Sequence, residues 1–339
     1  MNEHDILLTD NPTSSIHPKY QKNKLPSERK KIKLPLAHWQ RHISFLLKYG
    51  SFKKHFNLLN ALVNWKLGKE EIGNMPAFLK IEISRECKVG CKFCLTEKPT
   101  WFYSFENYTK LIDKFQDYAY LVSLYDIGEP LEHNEMNECI SYANSKKLGT
   151  VISTSLAVER TDDFWIKLVK SGLDLLIVAI DGVTKEVYNK YRANADFDLV
   201  ISNLKKILHY KKLYGSNICI EWQMIDFVWN KHEHEHGRKM ALELGCDRFR
   251  LIKEVVKVRR SYFKDTTFIR KKNCILPYIL LLVTANNLVR PCYKIYNEKV
   301  EIGDLSKNSF EEIWNGDEVK RIRNKNLIGC RTGCKTCRG

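Results

Sequence analysis

Glu86-Cys87-Lys88-Val89-Gly90-Cys91-Lys92-Phe93-Cys94 follows closely on the strand-like run Phe78-Leu79-Lys80-Ile81-Glu82-Ile83. Its cysteines are spaced C-x3-C-x2-C. Three thiolates on one short loop can hold three irons of a [4Fe–4S] cube, because soft sulfur ligands suit iron–sulfur clusters. No fourth cysteine lies nearby in the chain, so one iron stays open to a small molecule that binds through nitrogen and oxygen. A zinc knuckle made by two or three of the same thiols is the competing reading.

From Phe78 onward apolar strands alternate with helices. The pattern predicts strands over 79–84, 120–126, 149–154, 175–180, 218–225 and 248–253. Helices are predicted between them, over 104–116, 132–145, 161–170, 197–211 and 233–244. Repeated βα units imply a parallel sheet with right-handed crossovers, either open and doubly wound or curved into a partial barrel. In barrels the chemistry sits at the C-terminal strand ends, and the cysteine loop falls after strand one as that rule requires.

The cysteine loop, with Phe93 just before its last cysteine, resembles the cluster motif of the radical S-adenosylmethionine (SAM) enzymes. That resemblance implies an α/β fold with a partial (β/α)6 TIM-like barrel. It also implies an open iron that chelates the amino and carboxylate groups of SAM. Reductive cleavage there yields methionine and a 5′-deoxyadenosyl radical, which takes hydrogen from a substrate. A flavodoxin- or ferredoxin-type electron donor is the implied partner.

Four further stretches bear on the SAM site. Asp126-Ile127-Gly128-Glu129-Pro130 resembles the G-G-E-P element that binds the SAM amino group. Ile127 replaces its first glycine, so the role passes to Gly128 and Glu129. Glycine admits close backbone approach, and a glutamate accepts hydrogen bonds from an ammonium. Ser153-Thr154-Ser155 matches positions that contact the ribose, with Ser155 where asparagine is frequent; a helix N-cap needs the same hydroxyls. Val178-Ala179-Ile180-Asp181-Gly182 with Tyr188 and Arg192 resembles the S-I-D-G … Y-x-x-x-R stretch of members that carry a SPASM or twitch tail. Asp181 is a SAM-site candidate on that basis, and Arg192 is the candidate for the SAM carboxylate, which a guanidinium binds in a bidentate way. Glu221 and Gln223 share one alternation phase on strand five, and Gln223 is assigned to the cofactor.

His232-Glu233-His234-Glu235-His236 matches the H-E-x-x-H pattern of zinc proteases. The stretch sits at a helix start, where Asn230 as N-cap and Glu233 as its capping-box partner account for the residues without a metal.

The last 66 residues hold Cys274, Cys292, Cys330, Cys334 and Cys337. So dense a set in a segment too small for its own core argues for a metal site, zinc or iron–sulfur. Val289-Arg290-Pro291-Cys292, Ile302-Gly303-Asp304-Leu305 and Phe310-Glu311-Glu312-Ile313-Trp314-Asn315 resemble SPASM/twitch tails. The resemblance implies one auxiliary [4Fe–4S] cluster on Cys274, Cys292, Cys334 and Cys337, with Cys330 as a substitute for Cys334. Within the tail, 279–284 and 288–290 read as a hairpin and 310–322 as a helix.

The chain has 339 residues, and its hydrophobic content of 44% suffices for a sizeable core. The expected organisation is a basic, disordered arm (1–36), a helical extension (37–75), the barrel (76–253), a linker (254–273) and the cysteine-rich SPASM/twitch domain (274–339). In the extension, Trp39, Ile43, Leu46 and Leu47 share one helical face and Phe52, Phe56, Leu59 and Val63 another; both faces are expected to pack on the main domain rather than on a membrane, although an interfacial role also fits the basic content. Eleven cysteines without a secretory pattern argue for a reducing, cytoplasmic location. No apolar run approaches the ~20 residues of a transmembrane helix.

The net charge of +16, concentrated partly in Lys19, Lys22, Lys24, Arg29, Lys30, Lys31 and Lys33, reads first as a solvated basic tail, with an anionic partner for the arm as the functional alternative. Together these features predict a radical SAM oxidoreductase that oxidises or rearranges a small anionic or sugar-like metabolite. A maturase of a ribosomal peptide or protein is the alternative within the family. A non-catalytic zinc- or cluster-binding protein that docks nucleic acid is the alternative outside it.

Overall fold

The computed structural model describes residues 36–94, 100–253, 274–293 and 301–324, with side chains from Ile43 onward. Nearly all of the basic arm, the 254–273 segment and Cys330, Cys334 and Cys337 lie outside the described residues. Two helices, α1 (Leu36–Tyr49) and α2 (Phe52–Leu67), come first. Six strands follow among the described residues, β1 (Phe78–Ile81), β2 (Leu121–Ser123), β3 (Gly149–Thr154), β4 (Leu175–Ala179), β5 (Cys219–Asp226) and β6 (Arg248–Lys253). These six are parallel and lie side by side in chain order. The helices between them include α3 (Phe105–Phe115), α4 (Met136–Ser145), α5 (Asp162–Lys170), α6 (Lys185–Asn189), α7 (Phe197–Leu213) and α8 (His234–Leu244).

Local chemistry explains the helix starts. Ser104, Thr161, Thr184 and Asp196 each accept a hydrogen bond from a first-turn N–H of α3, α5, α6 and α7. Strand β4 reads Leu-Leu-Ile-Val-Ala because a parallel strand is covered on both faces, and its first four residues are buried. Strand β6 ends the row. It reads Arg-Phe-Arg-Leu-Ile-Lys, and its charges blunt an otherwise pairable edge.

The C-terminal hairpin joins this sheet. Strand β7 (Leu280–Val283) pairs in parallel with β1, and β8 (Leu288–Arg290) and β9 (Gly303–Asp304) continue antiparallel, for nine strands in all. The stretch read as one helix over 310–322 is two, Phe310–Trp314 and Asp317–Arg323. Between them the Asn315 side chain exchanges hydrogen bonds with Ile72 N–H (3.1 Å) and C=O (3.0 Å). That bidentate grip replaces the helical ladder at the break.

Helices α1 and α2 close the N-terminal ends of the strands. Phe45 and Tyr49 of α1 pack on Leu121, Val151, Leu175 and Ile177. A Cβ on Gly149 would lie 2.3 Å from the Phe45 ring, so β3 must start with glycine there. The Tyr49 hydroxyl donates to Asp174 at 2.7 Å. Burial and this carboxylate push the Tyr49 pKa up to about 12.

The expected packing holds only in part on α1, where Leu46 lies against the core, and not on α2. On α1, Ile43 is half exposed and Leu47 mostly exposed, whereas Phe45 and Tyr49 are buried. On α2 the faces are inverted: Phe52, Phe56, Leu59 and Val63 face solvent, and Lys54, Asn57, Ala61 and Asn64 are buried. Main-chain groups at the strand entrances cause this. Asn57 Nδ2 donates to Met75 O (3.0 Å), its Oδ1 accepts from Met75 N (2.9 Å), and Lys54 Nζ donates to Lys147 O (2.8 Å). Buried carbonyls demand donors, and α2 supplies them from its polar side. The same burial, with no carboxylate at contact, brings the Lys54 pKa down to about 8.

Candidate active site

Each of the six parallel strands, or the connection that leaves its C-terminal end, contributes to one cavity of about 370 Å³. Cys87, Cys91 and Cys94 line it from the loop after β1. Gly128 and Glu129 come from the end of β2, Ser153, Thr154 and Ser155 from β3, Arg192 from beyond β4, and Gln223 from β5. Phe93 lines it as well and stacks at 6.2 Å on Tyr191.

The cysteine loop is held from across the cavity. Lys92 N donates to Tyr191 O (2.8 Å), and Asn194 N donates to Val89 O (3.0 Å). Cys91 and Arg192 form an isolated antiparallel bridge, and the Arg192 guanidinium reaches Cys91 Sγ at 3.7 Å. Gly90 turns the loop at φ +61°, where a Cβ would lie 2.4 Å from the Asn194 side chain. Burial pushes the Cys87 thiol up to about 12, and burial raises Cys91 against the pull of Arg192. Metal loading must therefore displace protons from these thiols.

Glu129 is buried and fully engaged. Its carboxylate accepts from Thr154 Oγ1 (2.5 Å), Ser155 Oγ (2.6 Å), Ser155 N (2.8 Å) and Leu131 N (3.2 Å). The hydroxyls of the Ser-Thr-Ser stretch thus orient this carboxylate. Gly128 sits at φ +89°, and a Cβ there would meet Ser84 O at 2.4 Å and Arg85 Cα at 2.7 Å. The close approach that needs glycine is to the start of the cysteine loop.

Asp181 does not line the cavity. It is fully buried behind Arg192, accepting from Arg192 Nε (2.8 Å) and Ile225 N (2.8 Å), with Arg192 NH2 at 2.7 Å. Burial opposes the charge on Arg192, but Asp181 together with Cys91, Tyr188 and Tyr191 raises its pKa on balance, so the guanidinium stays protonated. Asp181 aims Arg192 rather than touching a ligand. Glu221 is likewise withdrawn, paired with Arg250 at 3.2 Å, while Gln223 reaches the cavity and accepts from Arg250.

Residues 274–338 match the SPASM family, an iron–sulfur cluster-binding domain. A stretch of 115 residues is 27% identical to the AdoMet-dependent heme synthase of Oleidesulfovibrio alaskensis, covering 33% of this chain and 29% of that protein. The match thus spans less than a third of that curated relative. The fold is similar to that of Streptococcus suis SuiB bound to S-adenosylmethionine, with a TM-score of 0.59 at 14% identity over 74% of this chain and 68% of that one. It is also similar to anSMEcpe with bound AdoMet, with a TM-score of 0.51 at 13% identity over 75% of this chain and 83% of that one. Residues 274–338 are thus a SPASM segment, and the preceding barrel has the fold of two proteins solved with S-adenosylmethionine.

Two parts of the SPASM segment touch the barrel site. Ala285 N, at the tip of the β7–β8 hairpin, donates to Glu82 Oε2 (2.9 Å), and Arg85 NH2 donates to the same carboxylate oxygen (2.9 Å). Glu82 and Arg85 flank the turn into the cysteine loop. Burial raises the Glu82 pKa against the pull of Arg85. Arg290 of β8 lies 3.7 Å from Asp126, whose other oxygen is 3.5 Å from Lys80 Nζ. Cys274 and Cys292 are both half-buried, while Cys330, Cys334 and Cys337 lie outside the described residues.

Sequence reasoning missed Glu82, Arg85 and Lys80. Their signal was weak: charged residues in and just after an otherwise apolar first strand. It also misread Glu233. The helix begins with a 3-10 turn over Val228–Glu233, and Glu233 accepts from Val183 N (2.7 Å) and Thr184 Oγ1 (2.7 Å). Asn230 Nδ2 donates to Asp181 O (2.9 Å) and Ile225 O (2.8 Å). The pair clamps the loop after β4 instead of forming a capping box, and Glu233 is committed there rather than to a zinc-bound water.

Proposed function

We propose that this chain is a SAM-cleaving radical oxidoreductase acting on a small anionic or sugar-like metabolite. Cys87, Cys91 and Cys94 hold the SAM-binding [4Fe–4S] cluster. Glu129 receives the SAM amino group, Arg192 the carboxylate, and Ser153, Thr154, Ser155 and Gln223 the remaining polar edge. Cys274, Cys292, Cys334 and Cys337, or Cys330 in place of Cys334, hold an auxiliary [4Fe–4S] cluster. When bound, the first cluster and SAM supply one-electron cleavage and abstraction of a hydrogen atom from the substrate. The protein contributes orientation and exclusion of water.

The observation that carries this reading is the common cavity. Three thiols from one loop, an oriented buried carboxylate and an aimed guanidinium meet there from β1, β2 and beyond β4. The donor set fits: soft thiolates for iron, and opposite charges placed for the two ends of an amino acid. Lys80 and Lys253 also line the cavity, and their charges favour an anionic substrate.

The test is anaerobic reconstitution, an iron count, and an assay for 5′-deoxyadenosine with SAM and dithionite. The Cys87→Ala/Cys91→Ala/Cys94→Ala protein is the control. About eight irons, falling to about four with loss of the product in the variant, is the expected result. Zinc with no SAM cleavage would sink the proposal in favour of a binding module.

A further inference from the structure

The inverted helix α2 carries a second message. Its polar side is consumed by main-chain carbonyls of the barrel, which leaves Phe52, Phe56, Leu59, Val63 and Leu67 along the opposite side at 87%, 62%, 58%, 45% and 66% exposure. They recur at steps of four, three, four and four, so they form one stripe parallel to the helix axis. Leu47, at the end of α1, is 80% exposed. Scattered apolar residues on a surface are ordinary, but a continuous stripe is a binding face.

Charge identifies the occupant. Lys53, which pairs with Asp117 (2.8 Å), and Lys66 flank the stripe on the α2 wheel; Lys48, paired with Asp174 (2.6 Å), lies before the helix, and Lys69 follows it ahead of Glu70 and Glu71, the latter paired with Lys320. The segment before α1 adds seven more lysines and arginines between residues 18 and 35, in a chain of net charge +16. A second copy would bring the same positive charge and repel it. An anionic bilayer complements it, with apolar side chains entering the headgroup region and lysines meeting lipid phosphates.

We propose that α2, through Phe52, Phe56, Leu59, Val63 and Leu67, docks the protein on anionic lipid surfaces. The face lies at the N-terminal ends of the strands and the cavity at their C-terminal ends, so docking leaves the cavity mouth uncovered. This inference does not depend on the radical chemistry.

The test is co-sedimentation of the full chain with phosphatidylcholine vesicles that contain or lack phosphatidylglycerol. Binding is expected only with phosphatidylglycerol, weakened by salt. Phe56→Ser/Leu59→Ser should reduce affinity about tenfold or more while leaving the thermal midpoint unchanged. Phe52→Trp should show a blue-shifted emission when those vesicles are added. Three results would overturn the proposal. These are no vesicle binding by the native chain, binding undiminished in the serine double variant, or a native dimer that the double variant dissociates without any lipid binding.

Discussion

The two ends of the barrel use polar residues in opposite ways. At the C-terminal ends, Glu129, Asp181 and Arg192 are buried charges that hold one another or a neighbouring hydroxyl in fixed orientation. At the N-terminal ends, Asn57, Asn64 and Lys54 are buried as plugs for carbonyls, and apolar side chains are turned outward. One end spends stability on a preorganised site. The other satisfies main chain and leaves an apolar face over. In both, a buried polar atom tolerates no missing partner, whereas an exposed apolar one tolerates water.

The largest expected effect comes from breaking the ion pair. Arg192→Ala strands Asp181, which has no exposed surface, and should cost about 3–5 kcal/mol in urea unfolding. A cost below about 1 kcal/mol would mean that the pair is not the rigid element argued for here. Asp181→Asn/Arg192→Gln should unfold later than Arg192→Ala yet still lose SAM binding, separating stability from ligand recognition.

Next in size is Glu129→Gln, which places an amide donor against the Ser155 N–H and hydroxyl and should cost about 2–3 kcal/mol. Equilibrium dialysis with SAM should show binding lost in the same variant. Retained SAM affinity would remove Glu129 from the amino-group site.

At the other end, neighbouring residues make the sharpest contrast. Asn57→Ala should lower the unfolding free energy by about 1–2 kcal/mol, because Met75 N–H and C=O lose their partner. Phe56→Ser, one residue earlier, should stay within about 0.5 kcal/mol of the native chain. A larger loss for Phe56→Ser than for Asn57→Ala in thermal melts would restore the conventional orientation of α2 and overturn the comparison.

Much of the barrel was legible in the chain. The parallel strands were located within a few residues because short runs rich in apolar and β-branched residues, separated by capped helical stretches, have a short-range cause. The three thiols, Gly128, Glu129 and Arg192 were legible as a set because each lies in a connection that leaves the C-terminal end of a strand, Arg192 after the short helix α6, and barrel topology gathers those ends on one cavity. Asp181 was read as a ligand contact because position along the strand does not reveal depth. The break at Asn315 was invisible because it depends on Ile72, distant in sequence. Glu233 looked like a local cap because a local partner, Asn230, was at the right spacing; its actual partners are fifty residues away.

The sequence by itself determined the βα order, the two cysteine sets and the segments from which a site is assembled, since periodicity, capping and ligand spacing are local properties of the chain. Only the tertiary structure decided which side of α2 is buried, that Asp181 aims Arg192 from behind, and that the C-terminal hairpin extends the barrel sheet beside β1. Each of these depends on which unpaired carbonyls, carboxylates and strand edges the fold brings within hydrogen-bonding distance, and no local pattern encodes those distances.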